Sequence, residues 1–285
     1  MKNLFVVLLV CVGVTANAQT KADSLLLTKT EWVNQDLDYL RFFKDSVIYN
    51  FDDIKHELLF DIKNKKLSFK VQYAVGGLDL RTEEFKFKIS KLEKNKLVLA
   101  PIIEKDKIEN NEYRKLNHNL FSKEKQYIFY NRGQLLSKVN FKKITFHAST
   151  CFGKCPSMSI QVNIDGTVHY QGRLYTKENK GNFEGKLSEN DIYQLKKILN
   201  RSQLYGIEKN WEQKSKYNDT PRYNYIVELF DGKTIEINTN DQHPILDKLS
   251  EYFMNIHEIA NLVKAKNRHK FDESNIDNYK VSYIR

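Results

Sequence analysis

The segment Met158–Tyr170 (MSIQVNIDGTVHY) decides the architecture of the second half of this chain. Apolar and polar side chains alternate on both sides of Asp165-Gly166, which predicts two strands that each turn one set of side chains into a core. Asp-Gly provides the positive φ that a two-residue turn requires, so the segment is predicted to be a β-hairpin. The segment Tyr225–Ile237 (YIVELFDGKTIEI) repeats this arrangement around Asp231-Gly232.

Two helices are predicted in the same half of the chain. Ser188 is an N-cap candidate three positions before Asp191, and Leu187 with Ile192 matches a hydrophobic staple. A second helix is predicted to begin near Pro244, because proline fits the first helical turn. Its apolar residues recur at helical spacing, at Ile245, Leu246, Leu249, Tyr252, Phe253, Ile256, Ile259 and Val263. We therefore expect an α+β domain, an antiparallel sheet with two packed helices.

The first half of the chain is predicted to be β throughout. Its short segments are rich in aromatic residues and alternate in polarity, as residues 67–73 and 85–89 do, and turn residues such as Gly76-Gly77 separate them. The predicted strands are residues 39–43, 46–51, 57–60, 67–73, 84–89, 96–99 and 126–130. About seven or eight short strands are typical of an antiparallel β barrel or sandwich. The expected fold class is mainly β plus α+β.

These patterns divide the chain into four segments. Residues 1–18 are a predicted signal peptide, residues 19–138 a β domain, residues 142–263 an α+β domain, and residues 264–285 a polar, basic tail.

The first 18 residues have the pattern of a secretory signal peptide. Lys2 supplies a positive charge, residues 4–14 are an apolar core, and Ala16-Asn17-Ala18 offers small residues before a cleavage point at Gln19. Cys11 follows Val10 in the middle of the apolar core, which does not fit a lipoprotein signal. The mature protein is therefore expected in the periplasm or outside the cell. No later apolar run is long enough to cross a membrane as a helix.

Composition and charge exclude several classes of protein. The chain is 41% hydrophobic, 12% aromatic and 29% charged, which excludes disordered, collagen-like and coiled-coil proteins. The net charge of +10 comes mostly from lysine, is spread over both halves, and includes no run of five basic residues. This favours a solvated surface over a nucleic-acid site, and leaves weak attraction to anionic envelope surfaces open.

Cys151 and Cys155 are the two cysteines that remain after cleavage of the signal peptide. An even pair in an exported protein predicts a disulfide, which would contribute about 2 kcal/mol across so short a loop. Gly153 in the loop between them can take the positive φ that closes a tight turn. Two alternatives stay open: a redox-active pair with His147 as a neighbouring base, and a metal site formed by His147, Cys151, Cys155 and His169.

The stretch Thr150–Pro156 (TCFGKCP), with Asp165-Gly166, Tyr170-x-Gly172 and Asp219-Thr220-Pro221, resembles an uncharacterised family of secreted bacterial domains. That family is marked by C-F-G-x-C-P, a following Asp-Gly hairpin and a later Asp-x-Pro. The resemblance covers about residues 142–260 and departs from the pattern at Met158, where an aromatic residue is expected. It implies a domain but no reaction.

A second resemblance concerns the first half of the chain. Thr30-Glu31-Trp32, followed by an aromatic strand and by residues 87–99, resembles small lipocalin-like domains of secreted bacterial proteins. Those domains usually begin with Gly-x-Trp, whereas this chain has threonine at position 30. The resemblance implies a barrel that encloses a small apolar ligand. The alternative is a barrel filled by its own Phe and Tyr side chains.

The chain contains no complete set of catalytic residues. G-x-S-x-G, H-E-x-x-H and a glycine-rich phosphate loop do not occur, and no cofactor is predicted. Asp219 is the acidic residue to inspect for catalysis, and a turn role in which its carboxylate binds backbone amides is the alternative. Trp211 flanks this loop and is a candidate for a recognition surface, with core packing as the alternative. We therefore expect a non-catalytic binding or envelope-interaction protein whose partner is a small apolar ligand or an envelope component. A thiol-redox or metal-dependent protein centred on Cys151 and Cys155 is the alternative.

Overall fold

A computed structural model describes residues 22–51, 54–74, 80–102, 124–210, 220–239 and 242–273. These residues form two compact units that divide between Leu135 and Leu136. Both are predominantly antiparallel β, and the second carries several helices packed on its sheet, which confirms the predicted fold class. The predicted signal peptide and the turn at Gly76-Gly77 lie outside the described residues.

The first unit is a closed barrel of eight antiparallel strands. The strands are β1 (Glu31–Val33), β2 (Tyr39–Phe42), β3 (Ser46–Phe51), β4 (Ile54–Lys63), β5 (Lys66–Ala74), β6 (Leu80–Glu93), β7 (Lys96–Ile102) and β8 (Tyr127–Asn131). Each strand pairs with the next along the chain, and β1 pairs with β8 to close the barrel. Closure pairs each described strand on both sides, so the barrel has no edge strand among the described residues.

Aromatic side chains occupy the interior of the barrel. The rings of Phe42 and Phe69 lie 6.3 Å apart, and those of Phe69 and Phe87 lie 5.4 Å apart. Helix α1, residues 22–29, adds Leu27 to this cluster. These contacts agree with the alternative in which the barrel is filled by its own side chains. A small apolar ligand in the barrel stays a prediction.

The second unit is built on a seven-stranded sheet with the order β14-β13-β9-β10-β11-β12-β15. The strands are β9 (Phe141–Ala148), β10 (Met158–Asn163), β11 (Thr167–Gly172), β12 (Gly181–Lys186), β13 (Tyr223–Leu229), β14 (Thr234–Thr239) and β15 (Val263–Lys264). Both predicted hairpins are present, and their turn glycines have positive φ, 89° at Gly166 and 82° at Gly232.

Helices cover one face of this sheet. They are α2 (Glu189–Arg201), α3 (Leu204–Asn210) and α4 (Asp247–Met254). The predicted capping box at the start of α2 is confirmed, because Ser188 and Asp191 exchange hydrogen bonds. Phe253 of α4 stacks on Phe146 of β9 with ring centres 5.0 Å apart, which places the core between helices and sheet. No helix in the described part of the chain is long and apolar enough to span a membrane.

The predicted second helix was wrong in length. Instead of one long helix, α4 is flanked by two 3-10 turns, Pro244–Leu246 before it and Ile256–Glu258 after it. Val263, the last residue of the apolar pattern, belongs to the edge strand β15. The chain leaves the helix because pairing with β12 satisfies its backbone groups: the amide of Lys186 donates to the carbonyl of Ala260 at 2.8 Å. Tertiary pairing therefore overrides a helical apolar pattern at this point.

Candidate functional site

The face of the second sheet opposite the helices carries a row of polar side chains. On β10, Met158, Ile160 and Val162 point to the helices, so Ser159 and Gln161 point to the other face. Register places Asn224, His147, Ser159, Gln171 and Asn182 side by side across five strands. Three members of this row, Asn224, His147 and Ser159, are buried. Buried polar groups on a sheet face need partners, and these contacts define the site.

His147 and Ser159 form a buried hydrogen-bonded pair at the centre of this face. His147 Nδ1 lies 2.7 Å from Ser159 Oγ, and His147 Nε2 lies 3.1 Å from the carbonyl oxygen of Asp272. Because a carbonyl can only accept, we assign the proton to Nε2, which leaves Nδ1 to accept from the Ser159 hydroxyl. The imidazole is therefore held at both nitrogens by groups other than a cysteine.

Arg173 follows β11 and extends this network. Its Nη1 donates to Ser159 Oγ at 2.8 Å and to Gln171 Oε1 at 3.1 Å, and its Nε donates to Ser157 Oγ at 3.3 Å. Three neutral acceptors therefore fix the plane of this guanidinium, which remains charged at all physiological pH values.

Residues 268–273, here called the cover segment, lie on the polar face. His269 stacks on His169 of β11 and its Nε2 lies 3.1 Å from Gln161 Oε1. The Asp272 carboxylate accepts from Lys143 Nζ at 2.8 Å and from Thr145 Oγ1 at 2.5 Å. These residues belong to the predicted polar, basic tail, and their contacts with the sheet were not predicted. The sequence feature that indicates such a segment is β10, a strand at the centre of the sheet that carries polar side chains, Ser159 and Gln161, on the face away from the helices. Buried polar side chains on that face need a further segment to supply their partners.

The charges under the cover segment shift the pKa values of its side chains. Burial works to raise the pKa of Asp272, but hydrogen bonds from Lys143 and Thr145 outweigh it and hold the pKa below the usual value. For Lys143, burial works to lower the pKa, and the bonds to Asp272 and Glu228 raise it overall. Burial, followed by the charge of His169, lowers the pKa of His269. Asp272 is therefore ionised and Lys143 charged in the folded protein near neutral pH.

A pocket of about 480 Å³ opens between the polar face and the cover segment. Its lining includes His147, Ser159, Gln171, Arg173, His269 and Phe271. The pocket therefore contains the buried His147–Ser159 pair, the fixed guanidinium and two aromatic rings of the cover segment.

Cys151 and Cys155 are joined by a disulfide, with Cα atoms 5.4 Å apart, as predicted. Gly153 does not use the positive φ open to a glycine: the left-handed glycines of the described chain are Gly166, Gly181 and Gly232. The Gly153 amide instead donates to Cys151 Sγ at 3.2 Å, which closes the loop without left-handed backbone. Phe152, inside the bridge, is 91% exposed.

The four candidate metal ligands do not converge. The sulfurs of Cys151 and Cys155 are bonded to each other, the ring of His147 is bonded to Ser159 and Asp272, and His169 stacks on His269. Within the described ranges, no three His, Cys, Asp or Glu side chains are placed to hold a metal ion. Asp219 and Trp211 lie outside the described residues.

A family model described as a domain of unknown function (DUF6438) matches residues 142–260. This range coincides with the one over which the sequence resembles an uncharacterised family, and it contains the disulfide loop and most of the polar face. No curated protein matches the chain.

Proposed function

We propose that this chain is an exported, non-catalytic protein that binds the anionic surface of an envelope membrane through two loops at one end of its second sheet. The observation that carries the proposal is Phe152, a large apolar side chain 91% exposed on a loop closed by the Cys151–Cys155 bridge. A large apolar side chain exposed to water lowers solubility, so its exposure indicates a contact site. Because the disulfide already fixes the loop, little conformational entropy is lost when Phe152 binds a surface.

A second loop brings more apolar surface to the same end of the sheet. Leu174 and Tyr175, which follow β11, are 50% and 52% exposed. The Ser157 amide donates to the Leu174 carbonyl at 2.9 Å, and the Arg173 amide donates to the Ser157 carbonyl at 2.8 Å. These bonds hold the second loop against the segment that leaves the disulfide, so the two loops form one contact surface.

Lysines accompany the apolar residues in both loops. Lys154 lies inside the disulfide loop, and Lys177 and Lys180 follow Tyr175; all three are exposed. Aromatic and aliphatic side chains next to lysines suit the headgroup region of an anionic bilayer, where apolar parts insert and ammonium groups meet lipid phosphates. The net charge of +10 adds a long-range attraction to such a surface.

Strand addition by a partner is less well supported at the β14 edge. The Glu236 amide of that edge strand donates to the Glu208 carboxylate of α3 at 2.8 Å. An edge amide occupied by a side chain is a poor template for a partner strand, so the loops are the better contact surface.

Export is supported by the signal-peptide pattern of residues 1–18 and by a disulfide compatible with an oxidising compartment. The bridge also supports a role by contact over the thiol-redox and metal alternatives, because joined sulfurs offer neither a thiolate nucleophile nor two metal ligands.

Co-sedimentation with lipid vesicles tests the proposal. The mature chain is expected to sediment with phosphatidylglycerol vesicles at low salt and to stay in solution with phosphatidylcholine vesicles. Phe152→Ser removes the burial of one aromatic side chain, about 1.5–3 kcal/mol, and is expected to weaken binding at least about tenfold.

Phe230→Ser is the matched control, because Phe230 is 57% exposed at the Asp231-Gly232 turn, at the opposite end of the strands. It is expected to leave vesicle binding unchanged. Absence of sedimentation with anionic vesicles, or an equal loss with both variants, contradicts the proposal.

A further inference from the structure

We infer that the polar sheet face is a peptide-binding site, which the cover segment occupies from within the same chain. The partner that fits it is an extended segment of another protein that presents an aromatic residue followed by aspartate, as the cover segment does at Phe271-Asp272. This site is separate from the loop surface proposed above and does not depend on it. Its sheet residues lie within the range that the family model matches, whereas the cover segment lies beyond that range.

Three donors of the face bind a single residue of the cover segment at two places. The Asp272 carboxylate accepts from Lys143 and Thr145, and the Asp272 carbonyl accepts from Nε2 of His147. Hydrogen bonds from a charged donor to a carboxylate are among the strong ones in proteins. The donors therefore select a residue that offers a carboxylate close to its own carbonyl, which describes aspartate.

Aromatic rings add a second element of recognition. The ring of Phe271 lies 4.8 Å from that of His269 and 6.3 Å from that of His147, and His269 stacks on His169 of the sheet. The cover segment forms no strand with the sheet, so side chains make most of its contacts. Binding to this face therefore depends on the sequence of the occupant.

The cover segment is held loosely enough to exchange. Each of its six residues is exposed or half-buried, whereas Thr145, His147 and Ser159 beneath it are buried. A segment that buries little apolar surface opens at a low cost in free energy. The pocket of about 480 Å³ between the segment and the face leaves room for side chains larger than its own.

The face keeps its arrangement when the cover segment leaves. His147 stays bonded to Ser159, which also retains the hydrogen bond from Arg173. Lys143 keeps its ion pair with Glu228, at 3.3 Å. Because these side chains fix one another, a partner segment meets donors that are already in place and loses less entropy on binding.

Fluorescence anisotropy with the labelled peptide KNRHKFDE, the sequence of residues 266–273, tests the proposal on the full mature chain. In the unmodified protein the tethered segment competes with the peptide, so the apparent affinity is reduced to the fraction of molecules that are uncovered. The Asp272→Asn protein has a weaker tethered competitor and is expected to bind the peptide about tenfold more tightly. Glu273→Gln is the matched control and is expected to bind as the unmodified protein does.

Two further changes locate the peptide on the face. Thr145→Val, added to Asp272→Asn, removes one donor with little change of shape and is expected to reverse the gain, and a peptide with asparagine in place of its aspartate is expected to bind more weakly. The proposal is overturned by the absence of saturable binding to the Asp272→Asn protein, by equal affinities of Asp272→Asn and Glu273→Gln, or by an unchanged affinity after Thr145→Val. A dimer of the unmodified protein that Asp272→Asn dissociates would assign the occupant to a second copy and overturn the assignment to another protein. Phe152→Ser is expected to leave peptide binding unchanged, which separates this proposal from the previous one.

Discussion

His269 of the cover segment stacks on His169 of β11 with parallel rings and ring centres 3.8 Å apart. Two imidazoles in this arrangement pack well while neutral and repel each other when both are charged. The stack therefore ties the position of the cover segment, and with it the pocket, to the protonation state of His269.

The stability of the second unit is expected to fall as the pH drops below about 6.5, the ordinary histidine value. Burial and then the charge of His169 lower the pKa of His269, and Lys143 acts in the same direction while Asp272 opposes it. The unfolded chain therefore binds a proton at a higher pH than the folded one, so the stabilising contribution is complete above 6.5 and is lost as the pH falls toward the folded pKa.

Guanidinium unfolding at pH 7.5 and pH 5.0 measures this loss. The variant His269→Phe keeps an aromatic ring on His169 but has no proton to gain, so it is expected to lose less stability over the same interval. An NMR titration midpoint for His269 at or above 6.5, or identical pH dependence of the two proteins, contradicts the prediction.

Asp272→Asn is expected to destabilise the second unit by about 1–2 kcal/mol, because it removes the charge that Lys143 and Thr145 bind. Since the pKa of Asp272 is held below its usual value, this contribution is complete above about pH 4 and is lost below it, outside the interval used for His269. The neighbouring Glu273→Gln, which removes an exposed charge, is the matched control and should change the unfolding midpoint little. Equal midpoints for the two variants would show that the cover segment contributes no net stability.

The features that could be predicted from the sequence are those formed by residues close together along the chain. The Asp-Gly turns and the capping box at Ser188 depend on neighbouring residues, and all are confirmed. The disulfide depends on two cysteines four positions apart, and is present. The cover segment escaped prediction because its partners are distant: Asp272 and Lys143 are separated by 129 positions, and only the folded sheet brings them together. A polar pattern by itself does not distinguish a solvated tail from a segment that covers a polar sheet face.

Gly172→Ala is expected to destabilise the second unit by more than about 2 kcal/mol. A Cβ atom at this position would lie 2.0 Å from the carbonyl oxygen of Asn179, and a backbone atom cannot move aside as a flexible side chain can. Gly153→Ala is the matched control, because its Cβ would meet Cys151 Sγ at 3.6 Å, an ordinary contact. Thermal denaturation compares the two variants, and a Gly172→Ala midpoint equal to that of the control would contradict the close approach. The close approach of the Asn179 carbonyl therefore explains why a glycine stands in the Tyr170-x-Gly172 part of the motif that resembles the uncharacterised family.

The Cys151–Cys155 bridge is expected to be an inert clamp whose removal costs about 2 kcal/mol, the value for a loop this short. The double variant Cys151→Ser/Cys155→Ser should therefore fold, lose a small part of its stability, and bind anionic vesicles more weakly, because its loop must be ordered on binding.

Thiol titration of the native mature protein should find no free thiol, since Cys11 is removed with the proposed signal peptide. A single-cysteine variant is unsuitable as a control because it introduces a reactive thiol. The more informative comparison is the vesicle binding of native protein before and after reduction and alkylation, which should match the loss seen with the double variant. The prediction is contradicted if a thioredoxin-type donor readily reduces the bridge and the protein then oxidises or reduces a second protein. The protein would then act by thiol chemistry and not by contact.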